Sequence, residues 1–358
     1  MSTEVLVEGH EPIREGACRV IAEAGVNHNN SVERAIEMAR RAAEAGAWAV
    51  KYQLYKADTI SVPHSPKYWS DTFGTASQYE AFRLSDHLDY GAYAEVAAAC
   101  AELGIVFFAT PFDPAAVAAL ESMDTPIYKV ASADITHRPL LEALAETGRP
   151  ILLSTGAATT EEVHDAIEWM GLGPDKLVLL VCTLTYPTPD ADAHFARLEE
   201  FRRVFAPYLS GTSDHTLGTA GAWMTAALGG VCIEKHYTLD QTLPDVPDHA
   251  MSVEPHQLAE MVTACDRAAV LRGEAWIGVR ASEEPAKANA RRSIVLERDK
   301  VAGSLLELAD LGFKRPGTGI PPFEAGAVLG QRLGADRPRG AILSYADLEP
   351  ADADGDRC

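Results

Sequence analysis

The stretch from Ser213 to His236 constrains the fold most. Ser213-Asp214-His215 closes one short apolar run, an alanine-rich helical segment spans 217–228, and Val231-Cys-Ile-Glu-Lys-His236 closes a second run. Two apolar runs of strand length joined by one helix read as a βα unit with parallel strands. Both imidazoles then emerge at the same end of neighbouring strands, which is how a barrel builds a metal site. Paired imidazoles, with water or substrate oxygens, can hold Zn²⁺, Mn²⁺, Fe²⁺ or Co²⁺, and the ligand set alone does not choose among them. The competing reading makes each histidine a satisfied interior residue.

The same rhythm runs through most of the chain. Apolar runs at 20–24, 47–53, 105–110, 127–131, 151–155, 177–182, 209–213 and 231–236 alternate with helical patterns near 32–45, 90–103, 114–122, 139–147, 160–170, 194–205, 217–228 and 255–271. Eight βα units in about 250 residues predict an α/β fold of the TIM (β/α)8 type. Past Arg272 the rhythm stops. The expected organisation is a barrel over 1–273, a polar linker over 274–290, a small β-rich domain over 291–350 and an acidic, disordered tail over 351–358.

Active sites of such barrels lie at the C-terminal ends of the strands. Those ends carry Glu23 with Asn27 and His28, Lys51 with Gln53, Thr110, Lys129 with Ser132, Ser154 with Thr155, Thr183 with Tyr186, Ser213 with His215, and Glu234 with Lys235 and His236. Single Ser or Thr positions after a strand carry little information. Lysines inside apolar runs carry more, because a buried ammonium without a partner is costly. Lys51 and Lys129, with the hydroxyls of Thr110, Ser132, Ser154 and Ser213, describe a pocket for phosphate and carboxylate. Each lysine can instead pair with a structural Asp or Glu, and a Schiff-base role for either would make the protein a class I aldolase.

Composition excludes several classes of partner. A net charge of −21 over 358 residues argues against nucleic acid and anionic membrane surfaces. The N-terminal residues 1–19 lack an apolar core and a cleavage pattern, and nowhere do 18 apolar residues run together. Six scattered cysteines without a Cys-x-x-Cys fit reduced, buried thiols, so the expectation is a cytoplasmic protein. The long connection over 54–89 carries Tyr55, Tyr68, Trp69, Phe73, Tyr79 and Phe82 on the active-site face. A loop of that length reads either as a lid or dimer contact, or as an insertion with its own packed cluster.

At this point the residues resemble the sialic acid (N-acetylneuraminate) synthase family, including relatives that make legionaminic and pseudaminic acids. The motifs are Ile21-Ala-Glu-Ala-Gly-Val-Asn-His28, Ala49-Val-Lys-Tyr-Gln53, Ala109-Thr-Pro-Phe-Asp113, Tyr128-Lys-Val-Ala-Ser132, Leu153-Ser-Thr-Gly156, Cys182-Thr-x-x-Tyr-Pro187, Ser213-Asp-His-Thr216, Ile233-Glu-Lys-His-Tyr-Thr238 and Lys314-Arg-Pro-Gly-Thr-Gly319. The resemblance implies a TIM barrel followed by an antifreeze-like (SAF) domain, in a domain-swapped homodimer. It also implies condensation of phosphoenolpyruvate with an aldose such as N-acetylmannosamine, releasing phosphate, with a divalent metal: Mn²⁺ first, Mg²⁺ or Co²⁺ as alternatives.

Carried over residue by residue, Lys51, Thr110, Lys129, Ser132, Ser154 and Ser213 resemble the phosphoenolpyruvate pocket. His215 and His236 resemble the metal ligands, and Glu23, Gln53, Tyr186 and Asp248 the sugar contacts. Arg315 resembles the arginine supplied by the small domain of a second copy. Glu23 or Glu234 is the expected general base, beside the reading in which Glu234 is a structural partner of Lys235. Leu184 departs from the family pattern, as do Asn30 and Val246-Pro247-Asp248-His249. Three alternatives stay open: a different acceptor (mannose, a diacetamido-hexose or a sugar phosphate), a metal-dependent pyruvate aldolase, and a catalytically silent sugar-binding homologue.

Overall fold

The computed structural model describes residues 4–69, 74–244 and 246–349. The chain divides into two compact units, Met1–Gly273 and Glu274–Cys358. Phe73, Cys358 and the 351–358 tail lie outside the described residues.

The first unit opens with an antiparallel hairpin, β1 (Glu4–Val5) and β2 (Ile13–Arg14). Eight parallel strands follow: β3 (Arg19–Gly25), β4 (Ala49–Leu54), β5 (Val106–Pro111), β6 (Tyr128–Val130), β7 (Ile151–Ser154), β8 (Leu177–Cys182), β9 (Leu209–Asp214) and β10 (Cys232–His236). Their spatial order is β5-β4-β3-β10-β9-β8-β7-β6. The two ends of that order, β5 and β6, lie against each other without a ladder, so the sheet is a nearly closed barrel. The main connecting helices are α1 (Val32–Glu44), α2 (Tyr93–Leu103), α3 (Pro114–Ser122), α4 (Arg138–Glu146), α5 (Thr160–Met170), α6 (Arg197–Val204), α7 (Ala220–Ala227) and α8 (Pro255–Arg272).

Two helices begin later than the periodicity suggests, each for a local reason. His194 sits in the left-handed region at φ 45°, so α6 cannot start there. Before α7, the Asp214 carboxylate accepts the Thr216 N–H at 2.9 Å and Gly218 turns the chain at φ 74°.

Alternation along the strands sorts their side chains between two faces. Inside the barrel, Ile21, Ala49, Val106, Phe108, Ile127, Leu152, Val178, Leu180, Leu209 and Cys232 form the lower apolar layers. Val5, Val7 and Ile13 of the hairpin segment join that cluster, so the N-terminus closes the barrel floor. Sequence alone does not place this segment, because Val5, Leu6, Val7 and Ile13 over nine positions carry no measurable period. The outer faces pack against the helices in a larger core containing Val20, Met38, Val50, Tyr52, Leu120, Leu153 and Leu179. Apolar floor and polar rim come from one alternating inner face.

The interior leaves no room at Gly211. A Cβ there would lie 2.3 Å from the Cys232 carbonyl oxygen on the neighbouring strand. Gly211→Ala must therefore push β9 from β10, at an expected cost of about 3 kcal/mol, the upper end of ordinary overpacking. Urea denaturation checks this through a lowered midpoint, and an unchanged midpoint would mean that the strands part freely.

The second unit carries β11 (Ser293–Leu296) antiparallel to β12 (Leu311–Lys314), with an isolated bridge from Val295 to Ile342. Ile294, Leu296, Leu306, Leu311, Ile320, Val328, Leu333 and Leu343 make its small core. The 274–290 segment, expected as a linker, includes a helix over Glu284–Ala290 whose Ala288 carbonyl accepts the Gly317 N–H at 2.8 Å. Among the described residues, no helix is long and apolar enough to cross a membrane.

Candidate active site

The inner face of the barrel becomes polar within one layer at the strand ends. Lys51 on β4 lies 2.7 Å from Glu23 on β3, donates to Thr110 Oγ1 on β5 at 2.9 Å, and stands 3.8 Å from Glu234 on β10. Lys129 on β6 donates to the Val130 carbonyl at 3.1 Å and stands 3.7 Å from the other Glu234 oxygen. Ser213 Oγ donates to Glu234 Oε1 at 3.0 Å, and Gln53 Nε2 donates to Glu23 Oε1 at 2.8 Å. A register shift between Glu23 and Gly25, with Gly25 at φ 52°, ends the β3 ladder beside that contact.

All four charged side chains are buried, so the environment separates the two carboxyls. Burial raises the Glu23 pKa against the pull of Lys51. Burial also works against ionisation of Glu234, but Lys129 and Lys51 outweigh it and hold that carboxyl at about 2. Burial lowers the Lys129 pKa. Glu234 is thus the fixed counterion, and Glu23 the carboxyl that holds a proton more tightly than a free glutamate does.

The proposed Glu234–Lys235 pairing does not occur. Lys235 points to the opposite face of β10 and donates to Asp214 Oδ2 at 2.9 Å and to the Thr216 carbonyl. Strand alternation separates consecutive residues, which sequence adjacency had obscured.

His215 follows β9 and His236 ends β10, with ring centroids 5.4 Å apart. His215 Nδ1 donates to the Thr183 carbonyl at 3.0 Å, which leaves Nε2 as the lone-pair nitrogen of the neutral ring. His236 Nδ1 is buried without a hydrogen-bond partner, 3.5 Å from Asp248 Oδ2, and burial lowers that ring to about 4. No group of three or more His, Cys, Asp or Glu side chains forms a complete metal cage among the described residues. Against burial, Cys182, the Thr183 carbonyl and Glu234 raise the His215 pKa. The two imidazoles, one of them carrying an orphaned nitrogen, fit an open site that substrate or water oxygens complete.

Tyr186 covers these rings, 4.2 Å from His215 and 6.1 Å from His236. Ser132 Oγ accepts the Gly156 N–H at 2.9 Å, and the Ser154 hydroxyl is buried without a protein partner. The structure therefore gathers Glu23, Lys51, Gln53, Thr110, Lys129, Ser213 and Glu234 into one network, and Tyr186, His215, His236 and Asp248 into a second layer. Arg315 lies in the other unit, exposed on the turn after β12.

Three groups near the site escaped the sequence reading. Asp134, two residues past Ser132, has a buried oxygen without a partner, and burial raises its pKa to about 6. Its signal was a carboxylate following a strand end. Cys182 Sγ stands 3.7 Å from His215 Nδ1. A Cβ on Gly156 would meet Ser132 Oγ at 2.9 Å, Cys182 Sγ at 3.1 Å and Leu184 Cβ at 3.2 Å, which places the departing Leu184 beside the hydroxyl pocket.

The 54–89 connection is only partly irregular, containing short helices at Ala57–Ile60 and Gln78–Arg83. Tyr55 packs with Val26 and Val246 under Phe82 and Phe112, so the segment is pinned to the loops after β3, β5 and β10. It also reaches the site, since Tyr68 lies 6.3 Å from Tyr186.

His28, below this layer, supplies a stability prediction. Its Nε2 meets the Tyr93 hydroxyl at 2.9 Å, its Nδ1 has no hydrogen-bond partner, and burial lowers its pKa from 6.5 to about 4. A depressed histidine binds protons more weakly folded than unfolded, so its stabilising contribution is present above pH 6.5 and lost as pH falls toward 4. The full effect is roughly 3 kcal/mol at about 1.4 kcal/mol per pKa unit. Unfolding free energies measured across that window should fall more steeply for the wild type than for His28→Phe. Parallel curves would assign the acid loss elsewhere.

Comparison with known proteins places this geometry. Residues 38–276 match the NeuB family model and residues 291–349 the SAF domain model. The chain is 36% identical to the N,N'-diacetyllegionaminic acid synthase of Legionella pneumophila, over 93% of this chain and 95% of that protein. It is 29% identical to the N-acetylneuraminate-9-phosphate synthase of Mus musculus, over 88% of each. Among solved structures it resembles an N-acetylneuraminic acid synthetase from Leptospira borgpetersenii, with a TM-score of 0.71 at 30% identity, covering 80% of this chain and 95% of that one.

Proposed function

Because the chain belongs to the NeuB family of sialic acid-type synthases, we propose that it condenses phosphoenolpyruvate with an aldose, N-acetylmannosamine or a related hexose, and water, giving a nine-carbon 2-keto-3-deoxy sugar acid and phosphate. The observation that carries the reading is the buried row Lys51–Glu234–Lys129, with 3.8 and 3.7 Å between each ammonium and the central carboxylate. Two ammonium groups around one carboxylate, beside the Thr110, Ser132, Ser154 and Ser213 hydroxyls, suit a small molecule carrying both phosphate and carboxylate.

Each residue then has a physical task. Lys51 and Lys129 neutralise the phosphate and carboxylate and hold C3 of the enol toward the acceptor. His215 and His236 would hold a divalent ion, Mn²⁺ first, whose Lewis acidity would be available to the acceptor carbonyl. As C3 bonds to the aldehyde carbon, C2 becomes electron-poor and takes up water. Glu23, the carboxyl with the raised pKa, receives that water's proton, and Asp134 is the second group able to exchange one. The C2–O bond to phosphate then breaks, the C2 hydroxyl giving its proton to the departing phosphate as the ketone forms, and the proton taken by Glu23 passes to the new alkoxide of the acceptor. Gln53, Tyr186 and Asp248 are assigned to the acceptor, and Arg315 is proposed to act from the small domain of a second copy in a swapped homodimer.

The test is phosphate release from phosphoenolpyruvate with a panel of aldoses, in Mn²⁺ and in chelator. Metal-dependent release with one member supports the reading. Metal-dependent carbon–carbon bond formation with pyruvate in place of phosphoenolpyruvate, and no phosphate release from phosphoenolpyruvate, would favour the aldolase instead.

A further inference from the structure

The loop after β8, residues 183–188, makes a holder for one imidazole. His215 Nδ1 donates to the Thr183 carbonyl at 3.0 Å, and the Thr188 N–H donates to the His215 carbonyl at 2.9 Å, so ring and backbone are tied to one loop. A main-chain carbonyl orients a ring only if it is itself held. The buried Thr188 hydroxyl holds it, sharing its one proton between the Thr183 carbonyl at 3.2 Å and the Thr185 carbonyl at 2.9 Å. The Thr183 hydroxyl is fixed from the other side. It accepts from Arg197 Nη2 at 2.7 Å and donates to the Asp192 carbonyl at 3.2 Å.

The clamp matters because a second acceptor is close. Cys182 Sγ stands 3.7 Å from His215 Nδ1, against 3.0 Å for the Thr183 oxygen. Sulfur is the weaker acceptor, but a retreat of the carbonyl would hand the ring proton to it. The imidazole would then rotate, and Nε2, on the other side of the ring, would turn with it. We propose that Thr188 is a positioning residue. Its hydroxyl fixes the Thr183 carbonyl, which selects that carbonyl over the Cys182 thiol as the partner of His215 Nδ1 and so aims Nε2 at the metal position. The inference deepens the synthase reading and rests on it for the metal, whereas the hydrogen bonds of the clamp do not need the ion.

The test compares the full chain with Thr188→Val, which keeps the side chain's shape without its hydroxyl, and with Thr188→Ser, which keeps the hydroxyl. Metal-free protein labelled with ¹⁵N-histidine reports the Nδ1 proton of His215 by NMR, identified by its loss in His215→Gln. That proton should exchange with water ~10-fold faster in Thr188→Val, about the worth of one hydrogen bond, and at the wild-type rate in Thr188→Ser. Mn²⁺ titrated into the same proteins should bind ~10-fold more weakly to Thr188→Val, the lower end of what losing an outer partner costs a metal site. Adding Cys182→Ala removes the rival acceptor, so the double variant should regain most of that affinity. A merely structural Thr188 predicts further loss there, since a second core side chain has been truncated. Unchanged proton exchange in Thr188→Val, unchanged Mn²⁺ affinity there when the wild type binds the ion, equal losses in Thr188→Ser, or no recovery in the double variant would overturn the clamp. Faster exchange in Thr188→Val, beside a wild type that binds no Mn²⁺, would uphold the clamp and sink the metal reading.

Discussion

Replacing Lys129 by methionine is expected to lower phosphate release from phosphoenolpyruvate by ~10³-fold, because a buried, preorganised charge at the reacting group is worth that much in a water-poor site. The loss extends to stability. Lys129 leads the interactions that hold Glu234 at about 2, and without it a buried carboxylate keeps one ammonium at 3.8 Å. Breaking a buried pair from one side costs about 3 kcal/mol or more. Adding Glu234→Gln should restore much of that stability and none of the activity, since the neutral amide no longer needs a counterion. Acid titration supplies the sign. A carboxyl depressed from 4.5 to about 2 stabilises the fold above pH 4.5, and that contribution is lost as pH falls toward 2. Lys129→Met should therefore lose less stability across that window than the wild type. Full activity in Lys129→Met would remove the lysine row from the mechanism.

The second large effect is expected at the imidazole pair. His236→Ala removes one of the two proposed ligands and should weaken Mn²⁺ binding by at least ~100-fold, with turnover falling ~10³-fold. Stability should move little at pH 7 without metal, because the deleted ring is buried with an unsatisfied nitrogen. Calorimetric Mn²⁺ titration separates this from a folding defect. Unchanged metal affinity in both His215→Ala and His236→Ala would place the ion elsewhere or dispense with it.

Much of the barrel was legible because its inner face obeys a two-residue period. Ile21 and Glu23, Ala49 and Lys51, Ile127 and Lys129, and Cys232 and Glu234 each repeat one step, apolar below and charged above. A lysine or glutamate two residues after an inward apolar residue points to the rim, which is why the strand-end residues could be named from sequence. Asp134, outside that period, stayed hidden because it sits in a 3-10 turn after β6, whereas Tyr68 stood out only as one of the aromatics on the 54–89 connection. The Lys235–Asp214 pair lies on the outer face across two strands, a register that only the paired sheet reveals. The division of labour between Glu23 and Glu234 was also invisible, because their sequence contexts are alike and only the distances to Lys51 and Lys129 distinguish them.

The most direct measurement uses phosphoenolpyruvate carrying ¹⁸O in the bridge between C2 and phosphorus, incubated with the full chain, Mn²⁺ and the aldose that supports turnover. Attack of water at C2 followed by C2–O cleavage predicts a nine-carbon α-keto acid together with ¹⁸O-labelled inorganic phosphate. Label retained in the keto acid, or an acceptor recovered unchanged beside free pyruvate, would contradict the account.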